Sequence, residues 1–212
     1  MNVIIIAISL LFAHIQAEPE LKILKGCEIT PYVREVADLQ RTVFREYPHL
    51  YVGPAQEYYE YAEIYNQPSA LACLLFIDDH LIAAVTGIKF DDMYQEFKKP
   101  FNKRAIDTAD MFYLGELVVL KEHRNKGYGD LLLKEFEKGV RSTPSCKQIC
   151  LCTMDESEVI DKKPADAPDK DIFWQKKGYI KHPELVAITD WIVEGDTAPR
   201  DHKLIFWLKS MQ

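Results

Sequence analysis

Apolar positions along the chain follow two rhythms, one of period two and one near 3.6, and these delimit its elements. "LKILKGCEIT" from Leu21 reads as a first strand. From Pro31, "PYVREVADLQRTVFREY" places Val33, Val36, Leu39 or Gln40, Val43 and Tyr47 at helical spacing, and "PHLYVGP" ends that run. "AQEYYEYAEIYNQP" predicts a second, short helix rich in tyrosine. "ALACLLFIDDHLIAAVTGIKF" holds two apolar runs around Asp78-Asp79-His80, the pattern of a β-hairpin. After a charged connection, "DMFYLGELVVL" is apolar on both faces, as a buried strand is. The next run puts Leu132, Leu133, Phe136 and Val140 on one side of a helix. "SCKQICLCTM" reads as a strand, "DESEVIDKKPADAPDK" as a polar connection, and "DIFWQKKGY" as a helix closed by Gly178. "LVAITDWIV" and "HKLIFWLKSM" supply two last strands. The fold expected is α/β (α+β): a mixed sheet with helices packed on it, in one domain spanning 18–212.

Composition narrows the function. With 212 residues and 48% hydrophobic content, the chain can bury one sizeable core. A formal net charge of -7 argues against a nucleic-acid partner, whose phosphates require a basic surface, and is compatible with a cationic small substrate. The basic cluster "KKPFNKR", Lys98–Arg104, reads as a solvated loop. Five cysteines, two of them (Cys150 and Cys152) on one face of a single strand, do not form a disulfide framework, and no Cys/His spacing suggests zinc. Asp78, Asp79 and His80 suit a turn better than a metal, so no metal is expected.

Val3 to Ile15 is almost wholly apolar. It is short for a membrane span of about 20 residues and has the length of a signal-peptide core. Cleavage after Ala17 would remove residues 1–17, export the protein and leave no membrane span. The alternatives are a buried first strand and a cytoplasmic chain.

The richest stretch is "EHRNKGYGDLLL", Glu122–Leu133, where two glycines and two cations precede a helix. It suits either a tight turn or a phosphate cradle. Glycines admit an anion to the backbone, and the first amides of a helix lack internal partners. A P-loop is excluded because no Gly-Lys-Ser/Thr follows, and a dinucleotide fingerprint because Leu132 occupies its third glycine position.

Arg124, Gly127 and Gly129 follow the pattern Arg/Gln-x-x-Gly-x-Gly/Ala after a strand, and "FWQKKGY" at Phe173–Tyr179 is similar to Phe-Tyr-x-Lys-x-Gly-Phe. Together these motifs resemble the acyl-CoA site of the GNAT N-acetyltransferase superfamily, over nearly all of 18–212. The resemblance implies a mostly antiparallel sheet and acetyl-CoA as acyl donor. Main-chain groups of Leu117, Val118 and Val119 would pair with the pantetheine arm. The amides of Asn125, Lys126, Gly127, Tyr128 and Gly129 would hold the pyrophosphate, with Arg124 and Lys126 partly neutralising it.

Transfer to an amine needs a base, an oxyanion donor and an acid. Glu116, the only charged residue in "MFYLGELVVL", is the candidate base, or else a carboxylate satisfied by a neighbouring loop. By resemblance the Val119 amide is the oxyanion donor. Gly115 stands where some family members carry a catalytic glutamate. Trp174, grouped with the cofactor-binding residues, stands where a tyrosine acid is usual. The acid is then water or a tyrosine from "EYYEYAEIY". The acceptor, a small-molecule or protein amine, is expected against Tyr58, Tyr59, Tyr61 and Tyr65 and the loop Asp155–Lys170. A homodimer is a further expectation, and a non-catalytic acyl-CoA-binding module is the alternative to an enzyme.

Overall fold

A computed structural model describes residues 18–143 and 145–211. Seven strands, β1 (Glu20–Lys25), β2 (Leu71–Ile77), β3 (His80–Lys89), β4 (Met111–Val119), β5 (Gln148–Met154), β6 (Ile180–Trp191) and β7 (Arg200–Ser210), form one sheet in the order β1-β2-β3-β4-β5-β7-β6. All neighbours are antiparallel except β4 and β5. Helices α1 (Val33–Phe44), α2 (Ala55–Ala62) and α3 (Gln95–Asn102) cover one face, and α4 (Tyr128–Arg141) and α5 (Lys170–Lys176) the other. The mixed, mostly antiparallel sheet expected from the sequence is therefore the observed one. The apolar segment Val3–Ile15 and the cleavage point after Ala17 lie outside the described residues. Among those described, no helix is long and apolar enough to cross a membrane.

Local chemistry explains most element ends. Asp78 and Asp79 both take positive φ (49° and 61°), as the two-residue turn of a twisted hairpin requires. Gly178 closes α5 at φ 83°. On α4, Leu132, Leu133, Phe136 and Val140 are buried as their spacing predicts. Cys150 and Cys152 share the α1 side of β5, and every cysteine is a free thiol.

Three expectations need correction. The first strand ends at Lys25, because Gly26 turns the chain at φ 53° into a 3-10 segment, Gly26–Tyr32. Lys98–Arg104 is not a loop over its whole length: most of it belongs to α3, whose Phe97, Pro100 and Phe101 are buried while its lysines face outward. Phe101 packs edge-on against Phe90 and Phe206, with centroids 4.9 and 4.8 Å apart. Pro100 and the surrounding charges masked that amphipathic pattern, since proline opposes a helix interior. Strand β6 also starts earlier than Leu185, running through Pro183 by means of an irregularity between His182 and Val186.

Candidate functional site

The centre of the site is an irregularity in β4. Thr86 of β3 pairs with Glu116, but the next residue, Gly87, pairs with Leu114, so Gly115 is an extra residue on β4. Without the bulge, alternation would carry Glu116 to the face of Phe112 and Leu114, beneath α4. With it, Glu116 joins Tyr113 and Val118 on the face covered by α1 and α2. Gly115 is sterically required there: a Cβ on it would fall on the Tyr65 hydroxyl.

Glu116 is 4% exposed, and no cation pairs with it among the described residues. Its Oε2 accepts hydrogen bonds from Tyr65 Oη (2.6 Å) and from Thr86 Oγ1. Burial raises its pKa above the usual carboxylate value, opposed by the donors Thr86 and Tyr65 and by the neighbouring Gln40 and Tyr61. A buried, unpaired carboxylate costs stability, which makes it a candidate for chemistry rather than for packing.

Glu116 lies in the wall of a cavity of about 480 Å³ between the sheet and helices α1 and α2. Gln40, Tyr58, Tyr61, Tyr113 and Trp191 contribute to its lining. The tyrosine-rich helix thus reaches the site through Tyr58, Tyr61 and Tyr65, whereas Tyr59 points away and bonds Asp38 at 3.0 Å. The Asp155–Lys170 segment does not line this cavity. It borders a second cleft of about 360 Å³ with Asp171 and Lys181.

Strands β4 and β5 pair over only three positions, Met111↔Gln148 to Tyr113↔Cys150, and then part. From Leu114 to Val119, β4 is therefore a sheet edge facing an opening. The Leu120 amide bonds the Ile82 carbonyl (3.0 Å), and Val118 lies opposite Ala84 in the same ladder. Alternation then turns the main-chain groups of Leu117 and Val119 into the opening and spends those of Val118 on β3. Of the three residues expected to pair with a pantetheine arm, Leu117 turns both main-chain groups to the opening, Val119 turns its amide there while its carbonyl accepts from Arg124, and Val118 is spent on β3.

The opening leads to the loop before α4. Asn125 and Gly127 take left-handed conformations (φ 61° and 82°), and the first helical bond is Leu131 N–H to Gly127 O at 3.0 Å. The amides of Tyr128, Gly129 and Asp130 consequently have no helical acceptor. A Cβ at Gly127 or Gly129 would meet nothing within 4 Å, so the space above both is open to a ligand. Lys126 is exposed beside it.

Arg124 behaves differently from the expectation. Its Nε donates to the Val119 carbonyl (3.0 Å), and its two terminal nitrogens donate to Glu46 (2.7 and 2.9 Å). The guanidinium fastens the loop to the end of α1, instead of standing free to neutralise an anion. Trp174 also differs: it is 8% exposed and packs edge-on between Phe173 and Tyr179 in the apolar layer under α4. Tyr179 is buried, and its hydroxyl bonds Glu137 (3.1 Å). Of the residues beside Glu116, Tyr65 belongs to the tyrosine-rich stretch expected at the site, whereas Thr86 and Gln40 escaped sequence reading, since neither carries a motif. The one available signal was Gln40 on the apolar side of the α1 pattern.

Residues 34–159 match the family model described as the acetyltransferase (GNAT) family. Among solved structures, an acetyltransferase of the GNAT family from Staphylococcus aureus is similar at 14% identity and TM-score 0.56, covering 91% of this chain and 100% of its own. An aminoglycoside 6'-N-acetyltransferase complexed with coenzyme A is similar at 19% identity and TM-score 0.54, over 90% and 97%. The PaiA N-acetyltransferase from Thermoplasma acidophilum, in complex with coenzyme A, is similar at 13% identity and TM-score 0.52, over 91% and 99%. At these identities the likeness to solved structures is one of fold. A search of curated proteins finds no match.

Proposed function

This chain belongs to the acetyltransferase (GNAT) family, with acetyl-CoA as donor and an amine as acceptor, and from that premise we propose how its own residues divide the work. The observation that carries the reading is a continuous run. It begins at Glu116, follows the β4 edge past Leu117 and the Val119 amide, and ends at the open amides of the Gly127–Gly129 loop. The edge receives the pantetheine arm as a sheet edge receives an added strand. The helix N-terminus and Lys126 receive the pyrophosphate.

Glu116 takes a proton from the attacking amine. The C–N bond to the acetyl group forms, the C–S bond breaks, and the sulfur leaves as a thiolate that takes a proton from water to become the free thiol of CoA, while the proton on Glu116 passes to solvent. The oxyanion donor is assigned to the Leu117 amide in preference to Val119. Both face the opening, but Leu117 adjoins Glu116, and Val119 lies about 7 Å farther along the strand. Arg124 is a positioning residue that holds the loop. The reading of a non-catalytic module loses its two supports, because Gly115 makes room for Tyr65 and Trp174 serves the core.

Substitution of Gly129 tests the assignment. Its φ is ordinary and its surroundings are open, so Gly129→Leu should leave the melting temperature unchanged or higher. A side chain there blocks anion approach, and CoA affinity by calorimetry should fall at least about tenfold. Undiminished affinity in the folded variant refutes the cradle.

A further inference from the structure

The acceptor cavity has a one-sided chemistry. Among the described residues its lining includes four carboxylates, Glu57, Glu96, Glu116 and Asp190, and no lysine or arginine. Its histidine, His49, is held neutral because burial pushes its pKa down to about 3. The carboxylates divide by depth: Glu116 is 4% exposed, whereas Glu57, Glu96 and Asp190 are exposed. Aromatic rings of Tyr58, Tyr61, Phe97 and Trp191 lie among them. Such rings accept both hydrocarbon and the positive charge that travels with it.

A second observation points to a ligand. The Gln40 side chain is 0% exposed and lines the cavity beside Glu116; its amide nitrogen faces that carboxylate, and its oxygen has no hydrogen-bond partner among the described residues. Leaving a buried amide unpaired costs roughly 1–3 kcal/mol, so native proteins seldom keep one without a partner to receive. An amine nitrogen next to Glu116 would supply that partner by donating an N–H to Gln40 Oε1.

We infer that the acceptor is a small diamine or polyamine. Its reacting nitrogen lies between Glu116 and Gln40, its hydrocarbon against the aromatic walls, and a further ammonium at the exposed carboxylates Glu96 and Asp190. This deepens the acetyl-transfer reading and rests on it for the role of Glu116. The depth difference suits the two ends of such a molecule. The reacting nitrogen must lose its proton and is drawn into the buried floor, while the distal ammonium stays charged and keeps part of its hydration at the mouth.

The test compares 1,4-diaminobutane with butylamine, which share a carbon chain and differ in one charge. Binding to the CoA-saturated protein is measured by calorimetry, and turnover is followed by thiol release from acetyl-CoA. The native protein should prefer the diamine by about tenfold or more in both affinity and kcat/KM. In Glu96→Gln with Asp190→Asn, that preference should fall by on the order of tenfold, because two exposed charge pairs are lost. Equal binding of the two amines, or a preference that survives the double substitution, overturns the inference and leaves acetyl transfer intact. Preferential diamine binding without turnover of either amine overturns the acceptor assignment and leaves a diamine site on a protein that does not transfer acetyl to it.

Discussion

Replacing Tyr65 with phenylalanine isolates what holds Glu116 ready as a base. The hydroxyl donates to the carboxylate at 2.6 Å from a residue 1% exposed, and phenylalanine keeps the ring and its edge contact with Tyr61. The hydrogen bond favours the ionised carboxylate, so its loss pushes the Glu116 pKa further up. A hydrogen bond to a charged group contributes roughly 1.5–3 kcal/mol. At about 1.4 kcal/mol per pH unit, that moves the ionisation by about one to two units. Thr86 still donates to the same oxygen, with Gln40 and Tyr61 alongside, so the lower end applies. The acid limb of kcat/KM, measured with acetyl-CoA and an acceptor amine, should therefore shift by about one pH unit towards alkaline pH. Above the new limb, the rate should recover to within a few-fold of the native value. A limb that stays in place, or a uniform loss at every pH with no shift, refutes the role of Glu116 as the titrating base.

Glu116 also affects stability. Its folded-state pKa is raised, so above the unfolded carboxylate value the unfolded chain releases the proton while the folded one retains it. Stability is therefore lost as pH rises from the unfolded pKa through the folded one. Glu116→Gln keeps an oxygen for Tyr65 and Thr86 and removes the ionisation. Denaturant midpoints across that window should show the variant gaining on the native chain as pH rises, with catalysis lost. At the loop, Arg124→Lys cannot reproduce the two-nitrogen contact with Glu46. CoA affinity should fall roughly several-fold, by no more than the about tenfold that a half-buried pair plus one hydrogen bond supports, with the melting temperature little changed. A variant with native CoA affinity would show that Arg124 does not position the loop.

Local sequence determined the parts that depend on neighbours a few residues away. The spacing of Leu132, Leu133, Phe136 and Val140 specifies a buried helix face, because helix geometry repeats every 3.6 residues whatever surrounds it. Two aspartates at 78 and 79 specify a hairpin turn, because their side chains tolerate positive φ. Gly127 and Gly129 specify an open helix start by lacking a Cβ. Where an insertion or an unfavourable residue interrupts the pattern, as at the Gly115 bulge or Pro100 in α3, the same reasoning assigns the wrong face or misses the element.

Tertiary structure alone decided the partners. The Tyr65–Glu116 contact joins residues 51 positions apart, and Arg124–Glu46 spans 78, with no periodicity linking either pair. The side to which Glu116 points follows from the register between β3 and β4, which is set by how two apolar layers pack on opposite faces of the sheet. The parting of β4 from β5 likewise belongs to the whole sheet, since β5 is held by β7 along its full length and by β4 over three residues. Motifs in the chain point to the proposed donor loop. The buried Glu116 with its two hydroxyl donors and the carboxylate-lined cavity exist only once distant segments share one face of the sheet.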